Sequence, residues 1–185
     1  MEKEQKKKNK SHEKPQYQWI LRVFFMSVTL SAGLSLLSES ALEGAGLWVA
    51  LGVLFMFILL GIMFDIVGVA VTAADERPFH SMASHKEKGA SEALHLIRNS
   101  SHVSSFCDDV VGDICGIVSG TTAAVIVARV LQLLPLNALA VSVGLTALIS
   151  GLTIGGKALG KTFAIKNSTK VVFAVGRFMH LFHRP

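Results

Sequence analysis

Residues Phe106–Ala128 read FCDDVVGDICGIVSGTTAAVIVA, an apolar stretch long enough to cross a bilayer, with aspartates crowded into its first third. On a helix with about 100° between successive side chains, one face carries acids followed by glycines. That face consists of Asp109, Gly112, Asp113, Gly116 and Gly120. Glycines let a neighbouring backbone approach closely, whereas carboxylates at membrane depth need a partner, a proton or a bound cation. The stretch therefore predicts a helix inside a membrane bundle, with Gly112, Gly116 and Gly120 as packing residues.

The composition of the whole chain indicates a membrane protein. Of its 185 residues, 51% are hydrophobic, and they come in long runs that an ordinary soluble domain lacks. The formal net charge is +5, and lysines crowd the N-terminus as far as Lys14. On a membrane protein such a basic tail marks the cytoplasmic side, so we expect no nucleic-acid partner. The cysteines, Cys107 and Cys115, form neither a disulfide framework nor a zinc motif.

Four apolar runs predict an all-α fold with four transmembrane helices. The runs cover residues 17–37, 47–74, 104–133 and 137–159, with a turn at Pro135 between the last two. The chain then divides into a disordered basic cytoplasmic tail, a four-helix membrane domain and a C-terminal amphipathic segment. These three parts are residues 1–16, 17–165 and 166–185.

Two amphipathic segments accompany the four spans. An apolar stripe of Ala90, Ala93, Leu94 and Ile97 predicts a juxtamembrane helix in the polar connection between the second and third spans. The C-terminal run VVFAVGRFMHLFHR predicts an interfacial helix, because basic residues punctuate an apolar sequence.

The distribution of Lys and Arg predicts the orientation. The loop Ser38–Gly46 carries neither residue and the turn after the third span carries only Arg129, whereas the remaining basic residues lie in the two terminal regions and in the connection 75–105. Because positive residues concentrate on the cytoplasmic side, we expect a multi-pass protein of the cell membrane with both termini cytoplasmic.

Three aspartates are expected to meet near the cytoplasmic side. Asp65 lies near the end of the second span, and Asp109 and Asp113 lie near the start of the third. Antiparallel helices would therefore bring the three carboxylates to a similar depth in the membrane. Carboxylate and hydroxyl oxygens suit Mg²⁺, Ca²⁺ or Na⁺ rather than soft metals. The predicted metal ligands are Asp65, Asp109, Asp113, Ser27, Ser31 and Thr72. A carboxylate pair that carries protons is the alternative.

The sequence offers little support for an enzyme. It contains no phosphate loop, nucleophile elbow or zinc signature. The pairs Phe64-Asp65 and Gly112-Asp113 resemble the aspartate motifs of intramembrane aspartyl proteases, but Val110 replaces the first glycine of G-x-G-D. No Pro-Ala-Leu stretch occurs either. We therefore expect no catalytic residues.

Three motifs stand out within residues 47–165: Phe64–Thr72, Gly89–Ser100 and the pair Gly112-Asp113. Through these motifs, this part of the chain resembles the transmembrane domain of the CNNM/CorC family of magnesium transporters. The family's first motif resembles F-S-x-x-E-T-A-L-x-S. In this chain Asp65 occupies the position of the motif's serine and Gly68 that of its glutamate. Asp113 occupies the position of an asparagine in the family's third span, so the acidic charge is relocated. The resemblance implies cation transport and a homodimer, here without the family's cytoplasmic regulatory domains.

These observations lead to one expected function and one alternative. We expect a small membrane cation transporter, or its membrane module, that moves Mg²⁺ or a similar hard cation through an acidic intramembrane site. The expected partners are the lipid bilayer and a second copy of the chain or a larger membrane complex. The alternative is a non-transporting membrane subunit that stabilises or regulates a partner complex.

Overall fold

The computed structural model describes residues 14–133 and 137–182, and within these ranges it contains helices and no strand. The helices are α1 (Lys14–Leu42), α2 (Leu47–Ala73), α3 (Arg77–Ser84), α4 (Ala90–Arg98), α5 (Ser100–Leu133), α6 (Ala138–Lys166) and α7 (Ser168–Phe182). The stretch Phe106–Gly112 of α5 is π-helical. Most of the predicted basic tail, residues 1–13, lies outside the described residues, as does the predicted turn at Pro135.

Four of the described helices, α1, α2, α5 and α6, are long and apolar enough to cross a membrane, which confirms the predicted all-α membrane fold. Three of them run further than predicted, and α5 begins at Ser100 instead of at residue 104. α1 ends at Leu42 instead of at residue 37, and α6 ends at Lys166 instead of at residue 159. An apolar run marks the part of a helix inside the bilayer, whereas the helix itself ends where the backbone changes. After α1 that change comes at Gly44, whose φ is +67°.

α2 lies at the centre of the bundle and packs against α5, α6 and α7. Between α2 and α5 the buried core is aliphatic and aromatic, with Phe57, Val110, Ile114 and Val118 each at most 4% exposed. The outward faces of α1 and α6 carry exposed large apolar side chains, as expected for helices in contact with lipid. The polar groups buried on α2 and α5 are therefore surrounded by protein.

At the end of the bundle where α1 meets α2, a side chain of α5 binds the connecting loop. The guanidinium of Arg129 donates hydrogen bonds to the carbonyl oxygens of Leu42, at 2.7 Å, and Gly46, at 3.0 Å. A helix leaves its last carbonyls without partners within the helix, so Arg129 satisfies a carbonyl at the end of α1. One turn or more deeper, the hydroxyls of Ser38 and Thr122 lie 3.4 Å apart.

At the opposite end, α3, α4 and α7 form a layer against α2. Phe79 of α3 is completely buried there beside Ala93 of α4 and Val172 of α7. α4 and α7 approach so closely that the backbones of Gly89 and Gly176 are in contact. The predicted stripe on α4 is thus buried, with Leu96 in place of Leu94 in its core. α3 was not predicted; its first turn contains a proline, a residue that suits this position.

Candidate functional site

A buried carboxylate on α2 faces two lysines on α6. The side chain of Asp65 is 4% exposed, and its Oδ1 lies 3.8 Å from Nζ of Lys157 and 4.0 Å from Nζ of Lys161. The two lysines are four residues apart and therefore share one face of α6. Both separations are too long for a hydrogen bond, so the attraction between these groups is electrostatic.

Two glycines of α6 allow this approach. Side chains of α2 occupy the space that a Cβ at Gly156 or Gly160 would take: Ile62 contacts Gly156, and Cγ1 of Ile66 lies 2.9 Å from the Cβ position of Gly160. These glycines alternate along α6 with the lysines. The close helix packing that the glycines allow therefore also brings the lysines near Asp65. Nζ of Lys157 also lies 3.4 Å from the Cβ position of Gly112 on α5.

A second carboxylate reaches the same region from the π-helical turn of α5. The carboxylate of Asp108 packs directly onto Gly68, and its Cγ lies 2.8 Å from the Cβ position of that glycine. The hydroxyl of Ser104 donates a hydrogen bond of 2.8 Å to Oδ2 of Asp108. Gly68 follows Asp65 by three residues and lies on the same face of α2. Asp108 and Asp65 therefore belong to one charged cluster, together with Lys157 and Lys161.

Each of the two carboxylates has a buried oxygen without a hydrogen bond in the described part of the chain. Oδ2 of Asp65 and Oδ1 of Asp108 are buried and have no hydrogen-bond partner within the part of the chain that the structure describes. A buried acceptor without a partner costs about 1–3 kcal/mol, and more when it is charged. Buried carboxylate oxygens are also the ligands that hard cations prefer. The cluster therefore has the chemistry of a cation site, with lysine ammonium groups as the present counter-charges.

The structure places Asp109 and Asp113 elsewhere, since both are exposed. Asp109 lines a cavity of about 190 Å³ between α1 and α5, together with Val23 and Met26. Among the described residues, no three His, Cys, Asp or Glu side chains come together in a way that could hold a metal ion. Asp65, Asp109 and Asp113 thus do not form a common three-carboxylate site in this conformation.

The predicted hydroxyl ligands lie apart from the charged cluster. Ser27 is half-buried and donates to the carbonyl oxygen of Val23 on its own helix, at 2.8 Å. Thr72 is exposed and donates to the carbonyl oxygen of Val69, at 2.9 Å. Ser31 is half-buried on α1. Their use as ligands stays a prediction, and it is compatible with these hydrogen bonds, because a hydroxyl that donates its proton keeps lone pairs for a cation.

At Gly116 and Gly120, the predicted packing face of α5 is not in contact with another described helix. No described atom outside the local backbone lies within 4 Å of a Cβ placed at Gly116 or Gly120, whereas Gly112 is buried beside Lys157. Both open glycines line a cavity of about 410 Å³ between α5 and α6. Within the described part of one chain no helix contacts Gly116 or Gly120, so their role in helix packing stays a prediction. The facing residues of α6 are too small to reach them: Ser142, Thr146, Ser150 and Thr153.

Of the charged cluster the sequence predicts only Asp65, and it does not indicate Asp108, Lys157 or Lys161, nor Ser104, which binds Asp108. The π-helical turn, in which hydrogen bonds join residues five apart instead of four, rotates the residues before Gly112 relative to those after it. A regular helical projection therefore assigns the wrong acid to the inner face. The available signal was Gly68, since a glycine one turn from a buried acid leaves room for a side chain from another helix.

The family model for the cyclin M transmembrane N-terminal domain (CNNM) matches residues 51–184, which is more than two thirds of the chain. The chain belongs to the CNNM family. No curated protein and no solved structure matches it. The CNNM family is associated with transport, and the matched domain indicates a membrane module related to divalent-cation transport. The charged cluster lies inside the matched range, whereas Ser27 and Ser31 lie outside it.

Proposed function

We propose that this CNNM chain moves Mg²⁺ or a similar hard cation, and that the cation binds between Asp65 of α2 and Asp108 of α5. The observation that carries the proposal is the pair of buried carboxylate oxygens, one on each aspartate, without a hydrogen bond in the described structure. Two carboxylates supply the charge and the oxygen ligands that Mg²⁺ favours, and waters would complete its octahedral shell.

The position of Gly68 supports this assignment. By the resemblance described above, residue 68 is where CNNM/CorC sequences carry a glutamate. In this chain the carboxylate of Asp108 occupies the space beside Gly68 where such a side chain would begin. An acid from α5 thus replaces an acid from α2 in the same region, which keeps a carboxylate next to Asp65.

Besides the site, the proposal covers the orientation and the assembly of the chain. We place the chain in the cell membrane with both termini cytoplasmic, because Lys and Arg concentrate on that side. A cysteine introduced at Glu43 should then react with an impermeant thiol reagent added to intact cells, and one at Lys88 should not. We also propose a homodimer, because the resemblance to the CNNM/CorC family implies one.

Metal-dependent thermal stability of the purified full-length protein tests the site. A cation that binds only the folded state, at a free concentration of about 100 times its Kd, raises the free energy of unfolding by about 2.7 kcal/mol. Asp65→Asn and Asp108→Asn should each abolish most of the increment that Mg²⁺ adds. The double variant should lose little more, since either change already breaks the site.

The controls separate this pair from the other candidate acids. Asp109→Asn and Asp113→Asn remove exposed carboxylates on the same helix, so the Mg²⁺ increment should persist in both. Only the increment is compared, because Asp65→Asn also leaves two lysines without their counter-charge and lowers the starting stability. Loss of the increment in Asp113→Asn but not in Asp108→Asn would transfer the site to the exposed acids. No increment with Mg²⁺, Ca²⁺ or Na⁺, either in the unmodified protein or after Lys157 and Lys161 are replaced by glutamine, would favour a non-transporting subunit.

A further inference from the structure

We infer that Lys157, assisted by Lys161, is a built-in competitor of the transported cation, and that the ammonium group leaves Asp65 when a divalent cation binds. This inference rests on the proposed function and adds a regulation of its site. Three observations support it: the length of the contacts to Asp65, the exposure of the two lysines, and the charge balance of the cluster.

The contacts between the lysines and Asp65 are close enough for attraction but are not hydrogen bonds. Nζ of Lys157 and Nζ of Lys161 lie 3.8 Å and 4.0 Å from Oδ1, and Oδ2 is left without a hydrogen bond within the described ranges. By contrast, Ser104 donates directly to Asp108 at 2.8 Å. Asp65 is therefore neutralised by charges that no directional bond fixes in place, and such charges can be exchanged for another cation.

The lysines have space into which they can withdraw. Their side chains are 27% and 54% exposed for Lys157 and Lys161, whereas Asp65 is 4% exposed. A lysine carries its charge on a flexible four-carbon stem, so the ammonium can move outward while α6 stays packed on α2. The absence of a side chain at Gly112 leaves room for the tip of Lys157.

The charge balance makes displacement necessary. Asp65 and Asp108 together carry two negative charges, and the two lysines balance them. A divalent cation that entered with both ammonium groups in place would give the cluster an excess of positive charge in a poorly solvated region, which is strongly unfavourable. The cation and the ammonium groups are therefore alternative partners of Asp65. The affinity for the cation is reduced by the fraction of time that the lysines occupy it.

A Mg²⁺ titration of the full-length protein, read by thermal unfolding at constant ionic strength, tests this competition. If the lysines occupy Asp65 for roughly nine tenths of the time, Lys157→Gln should raise the apparent affinity for Mg²⁺ by up to about tenfold. Without Mg²⁺ the same variant should unfold at a lower temperature, because Asp65 loses its nearest counter-charge, and Mg²⁺ should reverse this loss. Lys166→Gln is the matched control, since it removes an exposed lysine from the last turn of α6.

The outcomes distinguish this inference from the proposed function. A Mg²⁺ increment that depends on Asp65 but has the same apparent affinity in Lys157→Gln and in the Lys157→Gln/Lys161→Gln double variant overturns the competition alone. A response that appears only when the lysines are removed supports the competition in its strongest form. No response in any variant overturns both proposals, because removal of the lysines then uncovers no cation site.

A measurement on the unmodified protein covers the case in which the lysine variants fail to fold. An amine-reactive reagent should modify Lys157 faster in the presence of Mg²⁺, because the released ammonium group becomes accessible, while the modification of Lys166 stays constant. Unchanged or slower modification of Lys157 at saturating Mg²⁺ would overturn the inference.

Discussion

Two pairs of glycines lie on neighbouring helices of this protein, at the same spacing, and their surroundings differ completely. Gly116 and Gly120 of α5 have open space at their Cβ positions within the described structure, whereas Gly156 and Gly160 of α6 are in direct contact with α2. The first pair lines a cavity of about 410 Å³. The second pair brings α6 close enough for its lysines to reach Asp65.

The residues that face the glycines account for this difference. Gly156 and Gly160 meet the branched side chains of Ile62 and Ile66, which fill the space that a glycine leaves. Opposite Gly116 and Gly120, α6 presents serines and threonines, and small residues that face small residues leave a void. A glycine stripe in a membrane helix therefore indicates where another chain segment can come close. Whether it does so depends on the size of the opposing side chains.

The largest expected effect tests the packed pair. Gly160→Leu would place a side chain where Cγ1 of Ile66 lies 2.9 Å from the Cβ position. Such overpacking should lower the free energy of unfolding by about 1–3 kcal/mol, and by more if α6 is displaced from α2. The melting temperature of the purified protein provides the measurement.

Gly116→Leu is the matched control for this change, because its Cβ position is open. The melting temperature should stay close to that of the unmodified protein, and any effect should appear in the oligomeric state measured by size-exclusion chromatography with light scattering. Equal destabilisation by the two substitutions would mean that the two glycine pairs are packed alike.

Most of the fold could be predicted from the sequence, because apolar runs and charge distribution report directly on the bilayer. The bounds of α2 differ from the prediction by one residue, at Ala73. The short helix α3 escaped prediction because its eight residues are too few for the helical spacing of Phe79, Met82 and Ala83 to stand out.

The second prediction concerns a glycine that packs against a charged group instead of an aliphatic one. Gly68→Ala would place a methyl group on the carboxylate of Asp108, whose Cγ lies 2.8 Å from that position. We expect the free energy of unfolding to fall by about 1–2 kcal/mol, measured by chemical or thermal denaturation. The Mg²⁺ increment should fall as well, because the carboxylate must move.

Two further variants show whether Asp108 is responsible. Gly68→Ala combined with Asp108→Ala should be more stable than the sum of the single changes indicates, because the colliding group is gone. Gly52→Ala lies on the same helix with open space at its Cβ position, so it should be neutral or stabilising by up to about 1 kcal/mol. Additive losses in the double variant would show that Asp108 does not fill the space beside Gly68.

The candidate site was predicted less completely than the fold. Asp65 was recognised because it interrupts an otherwise apolar helix. Asp108 was not, because an angular projection assumes a regular helix and the π-helical turn Phe106–Gly112 breaks that assumption. The pairing of Asp65 with Lys157 depends on the packing of α6 against α2, which no local pattern reports. Distant partners of a buried charge thus require the tertiary structure.

The smallest expected effect concerns the open cavity. Ser119 lines it and is 4% exposed, yet its hydroxyl has no hydrogen-bond partner among the described residues. In a dry cavity, Ser119→Ala removes a buried polar group that forms no bond, so the free energy of unfolding should stay constant or rise by up to about 1 kcal/mol. Thermal unfolding of the metal-free protein measures this change in the free energy of unfolding.

Thr122→Val provides the comparison for Ser119→Ala on the same helix. The hydroxyl of Thr122 donates to the carbonyl oxygen of Val118, at 2.8 Å, and lies 3.4 Å from that of Ser38. Its loss should lower the free energy of unfolding by about 1 kcal/mol. If Ser119→Ala is as destabilising as Thr122→Val, the hydroxyl of Ser119 has a partner in solution, and a cavity of this size and polarity can hold water. The space beside Gly116 and Gly120 would then be a hydrated part of the bundle, and the contrast between the two glycine pairs would be one of wet against dry packing.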